Sequence, residues 1–283
     1  MGENSGIQWT GHTWNPWQGC DRVSPGCDHC YMFRDMARFG KDPEKVVRSS
    51  PYTFNRPIRW NREAKAAGRR DMVFLASWSD FFHKDADVWR PEAWEIIREC
   101  DSLIFQILTK RHARIAANLP ADWGAGYPNV WLGVSAENRV WWDRRVPVLR
   151  EVPARVHFVS YEPALGPLGI DADAAGIEWV IIGGESAPGR PFDIAWAREA
   201  IQICRRDGAR PFVKQLGSYP FARLGKPGSM CPMHKSCDCE PPLLSLREPR
   251  PIDGKVVWIK DRAGGEMSEW PEDLQVREFP EAP

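Results

Sequence analysis

Three cysteines stand within eleven residues near the start of the chain, at Cys20, Cys27 and Cys30. They follow the spacing Cys-x6-Cys-x2-Cys on a turn-rich loop with Pro25 and Gly26, which lets three thiolates converge on one point. A cubane iron-sulfur cluster normally takes four thiolates, so a cluster on this loop would leave one iron open to another ligand. The loop therefore predicts a metal or cluster site, and an open iron is a position where chemistry can occur.

A structural zinc site is the alternative interpretation of this loop. His12 or His29 could complete a tetrahedral set with the three cysteines. Zinc ligands usually come as two Cys-x2–4-Cys pairs, and this loop has one such pair, so spacing alone leaves zinc and cluster open. A disulfide is disfavoured, because residues 1–10 contain no apolar signal segment and the sequence therefore predicts a reducing, cytoplasmic location.

The elements that must position this loop are predicted from apolar runs and helical periodicity. Strands alternating with helices indicate βαβ units around a parallel sheet. We therefore predict an α/β fold, a full or partial TIM-type (β/α) barrel over residues 1–217, with a small irregular appendage over 218–283. An open doubly wound sheet is the alternative, but no G-x-G-x-x-G turn follows an early strand. Strands are predicted at 11–14, 72–76, 102–108, 129–134, 155–159, 178–182 and 210–215, and helices at 31–39, 60–67, 91–101, 111–118, 140–151 and 194–207.

Polar residues follow every predicted strand. Because active sites of TIM-type barrels lie at the carboxyl ends of the strands, these residues should meet the Cys-x6-Cys-x2-Cys loop at one rim. After the second to the seventh strand they are Ser77, Ser79 and Asp80; Thr109, Lys110 and Arg111; Ser135, Glu137 and Asn138; Ser160, Tyr161 and Glu162; Gly183 to Ser186; and Lys214 and Gln215.

The overall composition sets outer limits on function. With 283 residues and 43% hydrophobic content, the chain can form one large domain, or a domain with an appendage, around an ample core. Its 38 basic and 38 acidic residues cancel, so the charge totals carry no signature of nucleic-acid binding. No apolar run approaches the ~18 residues that a membrane span needs, so we expect no membrane contact.

Seven short segments carry a resemblance to known proteins: WNPWQGC at 14–20, GCDHCY at 26–31, SWSD at 77–80, LTKR at 108–111, GVSAE at 133–137, SYEP at 160–163 and GGES at 183–186. With its three-cysteine loop after a first strand, the sequence resembles the radical S-adenosylmethionine (SAM) superfamily, whose usual spacing is Cys-x3-Cys-x2-Cys. Over residues 7–217 it is more closely similar to a phage and prophage family of three-cysteine-motif, radical-SAM-like proteins.

This resemblance implies a [4Fe-4S] cluster on Cys20, Cys27 and Cys30, with an open iron that chelates SAM. Reductive cleavage of SAM would yield a 5′-deoxyadenosyl radical that abstracts hydrogen from a substrate, with a reductant protein or small-molecule reductant as partner. The phage association suggests isomerisation or another modification of a hypermodified DNA nucleobase, in a bacterial host or a phage-infected cell. The catalytic candidates are Lys110, Glu162 and Lys214.

The resemblance also implies contacts to SAM. His29 would meet the adenine, residues 77–80 the methionine amine, and Ser135 and Glu137 the ribose or a carboxylate. The superfamily's Gly-Gly-Glu is absent after the second strand, whereas those letters occur after the sixth, so we assign 183–185 to the cofactor or substrate rim. The cofactor-binding candidates are His29, Ser77, Ser79, Asp80, Ser135, Glu137, Gly183, Gly184 and Glu185.

A second group of possible ligands occurs late in the chain. It could bind zinc or an auxiliary cluster, although the close spacing of its last two cysteines makes a closed tetrahedral site awkward. Its members are Cys231, His234, Cys237 and Cys239. Cys100 and Cys204 fall within helical patterns and are expected in the core. The alternative function is a zinc- or cluster-containing protein that binds nucleic acid or a partner without radical chemistry.

Overall fold

The computed structural model describes residues 3, 5–186, 188–223, 243–248, 250–252 and 255–281. Its main feature is a sheet of seven parallel strands that follow one another in chain order and curl into a half-barrel. The predicted α/β class and the partial TIM-type barrel are therefore confirmed. The strands are β1 (His12–Trp14), β2 (Asp71–Leu75), β3 (Leu103–Thr109), β4 (Val130–Ser135), β5 (Val156–Tyr161), β6 (Trp179–Gly183) and β7 (Arg210–Gln215).

The α-helices are α1 (Tyr31–Arg38), α2 (Pro51–Phe54), α3 (Arg56–Ala66), α4 (Arg90–Glu99), α5 (Arg139–Arg150) and α6 (Ile194–Asp207). The helix predicted at 111–118 is wrong, because two short 3-10 turns, His112–Arg114 and Ala116–Asn118, occupy that segment. The Asn118 amide donates to the Arg114 carbonyl, and Pro120 favours an extended residue before it, so an α-helix has no room to continue. No helix in the described part of the chain has the length and apolar character that a membrane span requires.

Shorter strands lie outside the main sheet. Trp17–Gln18 pairs with Val47–Arg48, and Arg250–Ile252 pairs with Lys255–Val257. A third small sheet contains Phe192–Asp193, Pro220–Arg223 and Leu243–Ser245. The domain boundary at residue 217 stays a prediction, and Cys231, His234, Cys237 and Cys239 lie outside the described residues.

The two faces of the sheet bury different side chains. Because successive residues of a strand point to opposite faces, one set packs under the helices and the other fills the concave side of the half-barrel. The concave set forms a separate buried cluster, rich in aromatic rings, toward the amino ends of the strands. Its buried members are Trp9, Phe74, Ile104, Trp131, Val156, Phe158, Trp179, Ile181 and Phe212. Two residues further along the same face, Ser160 follows Phe158 in β5 and Lys214 follows Phe212 in β7, so these two strands become polar toward their carboxyl ends.

The two edge strands of the half-barrel have backbone partners from elsewhere in the chain. Glu3 makes an antiparallel bridge to His12 of β1. On the opposite edge, the amide of Val213 in β7 donates to the carbonyl of Val276, and the amide of Glu278 donates to the carbonyl of Pro211. Residues at both extremities of the described chain therefore cover the open sides of the sheet.

Candidate cluster and cofactor site

The three cysteines lie on the segment that follows β1, residues 20–30, which we call the Cys loop. Pro25–Cys27 forms a 3-10 turn, and Cys30 is the N-cap residue of α1. Cys27 is buried, whereas Cys20 and Cys30 are half-buried, and all three line one cavity of about 570 Å³. Among the described residues, no three Cys, His, Asp or Glu side chains already stand around one point as metal ligands, so ligation stays a prediction.

The cavity lies at the carboxyl edge of the sheet, where the polar residues after the strands line its wall. Its deeper part is apolar and includes Trp9, Phe74 and Leu108. The structure thus brings most of the predicted residues together, and their roles stay predictions. Lining the cavity are His29, Ser77, Ser79, Asp80, Lys110, Ser135, Glu162, Gly184, Glu185 and Lys214, whereas Glu137 and Gly183 lie behind its wall.

An apolar cluster covers one side of the Cys loop. Met32, Phe33 and Met36 of α1 are buried together, and Cys20 and Cys30 pack against them, as does Trp78. The guanidinium of Arg22 stands 3.9 Å from the centroid of the Phe33 ring. Side chains of this kind keep water from one side of a bound group, which strengthens electrostatic interactions there.

Glu137 supports the Cys loop from beneath. Its carboxylate accepts a hydrogen bond from Ser24 Oγ at 2.5 Å and lies 3.1 Å from a guanidinium nitrogen of Arg145. The side chains of Glu137 and Arg145 are both fully buried. A buried carboxylate engaged in this way holds the loop to β4 and α5, which differs from the predicted contact with SAM.

Glu185 connects the Cys loop to the segment after β6. Its carboxylate accepts hydrogen bonds from the Arg190 guanidinium at 2.6 and 2.9 Å, and His29 Nδ1 lies 2.9 Å from Oε2. Arg190 also donates to the carbonyl of Pro25 at 2.9 Å and lies 3.4 Å from the carboxylate of Asp28. The Gly-Gly-Glu letters after β6 therefore serve to dock the Cys loop, while Glu185 still borders the cavity.

At Gly26 the backbone of the Cys loop closely approaches the Glu137 side chain. We expect Gly26→Ala to destabilise the fold by about 1–3 kcal/mol, because an added methyl group overpacks a site that is already filled. A Cβ atom there would lie 2.4 Å from Oε1 of Glu137, which is held by Arg145 and cannot move away. Gly6→Ala is the matched control, because nothing lies within 4 Å of its added Cβ. Urea unfolding measures both changes, and equal midpoints for the two variants would contradict the expectation.

The segment after β2 is bound to the Cys loop and its neighbours. Ser79 Oγ donates to the carbonyl of Gly19 at 2.6 Å, and Ser77 Oγ accepts from the amide of Asn15 at 3.0 Å. The Asp80 carboxylate accepts from Thr109 Oγ1 at 2.7 Å and from the backbone amide of Lys110 at 3.0 Å. These contacts fix the rim between β2 and β3, and contact of Asp80 with the methionine amine of SAM stays a prediction.

The three catalytic candidates lie on the concave wall. Lys214 Nζ is 2.7 Å from Oε1 of Glu162, and the Gln215 amide donates to the same oxygen at 2.8 Å. Lys110 Nζ donates to Ser135 Oγ at 3.2 Å and makes no ion pair with a described residue. The wall therefore presents one ammonium without a carboxylate contact and one Glu–Lys pair, whose Glu162 Oε2 accepts no hydrogen bond from the described residues.

The surroundings of the cavity shift the pKa values of several groups. Burial raises the pKa of the Cys20 thiol to about 12, helped by the Asp80 carboxylate and opposed by Arg111. Burial disfavours the charge of Lys110, but the negative charges of Glu137 and of the Cys27 and Cys30 thiolates outweigh it and raise the pKa of that lysine. Lys110 is therefore charged, and it lines the same cavity as the three cysteines.

Sequence reasoning placed Arg111 at the rim without a specific role, and it did not single out Arg145 or Arg190. Each of the three reaches the Cys loop directly or through a carboxylate. A signal existed for Arg145, since it lies on the buried stripe of α5 with Trp142, Val146 and Leu149. An arginine on the apolar face of a helix requires a buried partner. Arg190 follows β6 in an irregular segment, where the sequence offers no comparable pattern.

The fold and the site together define the structural class of this protein. It is a parallel α/β half-barrel with a three-cysteine loop docked over the carboxyl edge of its sheet. The chain belongs to the family described as a protein of unknown function (DUF5131), whose match covers residues 4–263. A comparison with curated proteins finds no match.

Two solved structures are similar to this chain. The first is "Spore photoproduct lyase complexed with dinucleoside spore photoproduct", with 15% sequence identity, coverage of 79% of this chain and 68% of that chain, and a TM-score of 0.48. The second is a mutant of spore photoproduct lyase, with 15% identity, coverage of 80% and 69%, and a TM-score of 0.46.

Proposed function

We propose that this protein is a radical SAM enzyme with a [4Fe-4S] cluster on Cys20, Cys27 and Cys30. One observation carries the proposal: the three thiols line the same cavity as polar side chains from the carboxyl end of each strand from β2 to β7. A purely structural zinc site would need no such cavity. Proximity of a cysteine site to hydrogen-bonding groups in a concave pocket is what a cofactor enzyme requires.

The residues present fit such a cluster in donor chemistry and in charge. Three thiols supply a cluster with one open iron, and the cavity of about 570 Å³ is within the ~300–1,000 Å³ usual for small-molecule sites. When bound, the cluster would supply the electron that cleaves SAM and thereby generates the radical that takes hydrogen from a substrate. Lys110 lines this cavity as a cation and would balance the negative charge of thiolate ligands.

The other side chains of the wall have proposed roles in binding. His29, Ser77, Ser79, Asp80 and Ser135 would surround SAM, together with the rim formed by Gly184 and Glu185. Glu162 and Lys214 would contact the substrate, because their pair lies on the concave wall and Glu162 Oε2 is still free to accept a hydrogen bond. The apolar floor with Trp9 and Phe74 would exclude water from the reaction.

The test is cleavage of SAM by protein reconstituted anaerobically with iron and sulfide. With a low-potential reductant, we expect slow release of 5′-deoxyadenosine and methionine even without substrate, and Cys30→Ala should eliminate it. Cys204→Ala is the matched control, because Cys204 is buried in α6 and should leave the activity unchanged. If the iron-loaded protein yields no 5′-deoxyadenosine above the reductant-only blank, the proposal is wrong.

The substrate proposed is a nucleobase in DNA, on the basis of the phage association of the resembled family. A reductant protein would then be the second partner. Mass spectrometry of genomic nucleosides from cells with and without the gene tests this directly. A modified nucleoside that depends on the gene and on intact Cys27 supports the proposal, whereas identical nucleoside profiles contradict it. Zinc retained after aerobic purification, with no cluster uptake, would favour the non-enzymatic alternative.

A further inference from the structure

Arg111 connects the end of β3 with the first cysteine of the Cys loop. Its backbone amide donates to Thr109 Oγ1 at 2.8 Å, which fixes the turn from which its side chain leaves. The side chain is only 11% exposed although it carries a permanent charge. A buried guanidinium is costly unless its hydrogen bonds are satisfied, so its contacts are informative.

One guanidinium nitrogen of Arg111 makes three contacts with two consecutive residues. It lies 2.6 Å from Asp21 Oδ1 and 3.1 Å from the Asp21 carbonyl, and it donates to Cys20 Sγ at 3.6 Å. This single nitrogen, Arg111 Nη2, therefore contacts a carboxylate, a backbone carbonyl and a sulfur atom of the Cys loop.

A buried histidine contacts the same carboxylate oxygen of Asp21. His83 Nδ1 accepts from the backbone amide of Asp85 at 3.2 Å, so Nε2 carries the proton and donates to Asp21 Oδ1. His83 is 2% exposed. Asp21 is thus fixed by an arginine and a histidine together, and its position determines where the neighbouring Cys20 sulfur lies.

We propose that Arg111 is a positioning residue that holds Cys20 as a cluster ligand and, by an N–H···S hydrogen bond, raises the reduction potential of the cluster. The inference rests on the proposed function, since it requires a cluster at this loop. Hydrogen bonds to ligand sulfurs and nearby charge are established determinants of cluster potential. A donor stabilises the reduced cluster most, because the reduced state carries the additional negative charge.

Two carboxylates near Arg111 would also lower the reduction potential of the cluster if the arginine were removed. Asp80 Oδ2 lies 4.0 Å from Arg111 Nε, and Asp21 Oδ1 lies 2.6 Å from Arg111 Nη2. Without the guanidinium, both carboxylates would lose its positive charge, although Asp21 would keep the hydrogen bond from His83, and their negative charge would disfavour reduction of the cluster. Lysine retains the charge, but it is shorter than arginine and has a single nitrogen, so it cannot face Asp80 and also contact Asp21 and Cys20 as the two guanidinium nitrogens do.

The experiment compares Arg111→Met and Arg111→Lys with the parent protein and with Arg139→Met. Arg139 is the matched control, because it lies at the start of α5 and pairs with the exposed carboxylates of Asp143 and Asp171. Iron and sulfide content and the midpoint potential, from a redox titration followed by electron paramagnetic resonance, are measured on reconstituted protein. Hydrogen exchange of residues 20–30 is measured on the metal-free protein, and thermal melting verifies folding.

We expect Arg111→Met to be about tenfold harder to reduce, which equals about 59 mV to more negative potential for a one-electron couple. Exchange of the Cys loop should become faster in both Arg111 variants, with a smaller shift of potential in Arg111→Lys. Arg139→Met should match the parent in each measurement. If Arg111→Met takes up too little cluster for a redox titration, the midpoint potential is measured on Arg111→Lys instead.

Three results would overturn the inference, and they separate it from the proposed function. A parent protein that takes up no cluster refutes both together. A loaded parent with the same potential in both Arg111 variants refutes only the role of Arg111 in the potential. Unchanged hydrogen exchange of residues 20–30 in those variants refutes its role in positioning Cys20.

Discussion

Cys27→Ala should leave the reconstituted protein with almost no bound iron, where the parent should hold about four irons per chain. A cubane on three thiolates already lacks one protein ligand, and removal of a second leaves too few bonds to retain it. Cys27 is the buried member of the three, so no other side chain can replace it without moving the Pro25–Cys27 turn. Iron and acid-labile sulfide content, with the visible absorption of the cluster, measure the loss.

The controls for this prediction are Cys100→Ala and Cys204→Ala. Both thiols are buried in the core, Cys100 at the end of α4 and Cys204 within α6, and neither lines the cavity. Their replacement should leave the iron content unchanged while costing a little stability from the lost packing. Equal iron in Cys27→Ala and in the parent would refute cluster ligation by the Cys loop.

Glu137→Ala should lower the free energy of unfolding by about 3–5 kcal/mol, the usual effect of breaking a buried ion pair from one side. Arg145 would keep its charge without a counter-ion, and its Nε and one terminal nitrogen already lack hydrogen-bond partners among the described residues. The remaining contacts of Arg145 are the Ser135 carbonyl at 2.8 Å and the Trp141 ring at 4.1 Å. Urea unfolding at neutral pH measures the loss.

Glu63→Gln is the matched control for this stability prediction. Glu63 pairs with Arg59 at 2.7 Å on the exposed surface of α3. Surface pairs at this spacing contribute about 0.3–0.5 kcal/mol, so the control should barely change the unfolding midpoint. The decisive outcome is the difference between the two variants, and a loss below about 1 kcal/mol for Glu137→Ala would show that Arg145 finds other compensation.

The strands β2 to β6 were predictable because each is a short, largely apolar run with its own boundary signals. All seven appear within one or two residues of the predicted bounds, and Asp80, Lys110 and Glu162 lie at the predicted edge. Both results follow from local pattern and from the geometry of parallel sheets. The helix predicted at 111–118 failed for a local reason as well, since side-chain hydrogen bonding by Asn118 competes with the helical backbone.

The docking of the Cys loop could not be predicted, because it depends on contacts between distant parts of the chain. Ser24 meets Glu137, which is 113 positions away, and His29 meets Glu185, which is 156 positions away. No local propensity encodes such pairs. The letters of Gly-Gly-Glu at 183–185 indicated a functional rim, but only the folded arrangement assigns Glu185 to the Cys loop.

The coverage of β1 and β7 by Glu3 and by residues 276–278 bears on self-association. An exposed edge of a sheet offers unpaired amides and carbonyls to another chain, which makes it a template for aggregation. A half-barrel has two such edges, whereas a closed barrel has none. The outermost described segments of this protein therefore protect the two sheet edges from pairing with another chain. We expect a protein that lacks these segments to precipitate before any change at the Cys loop can be measured.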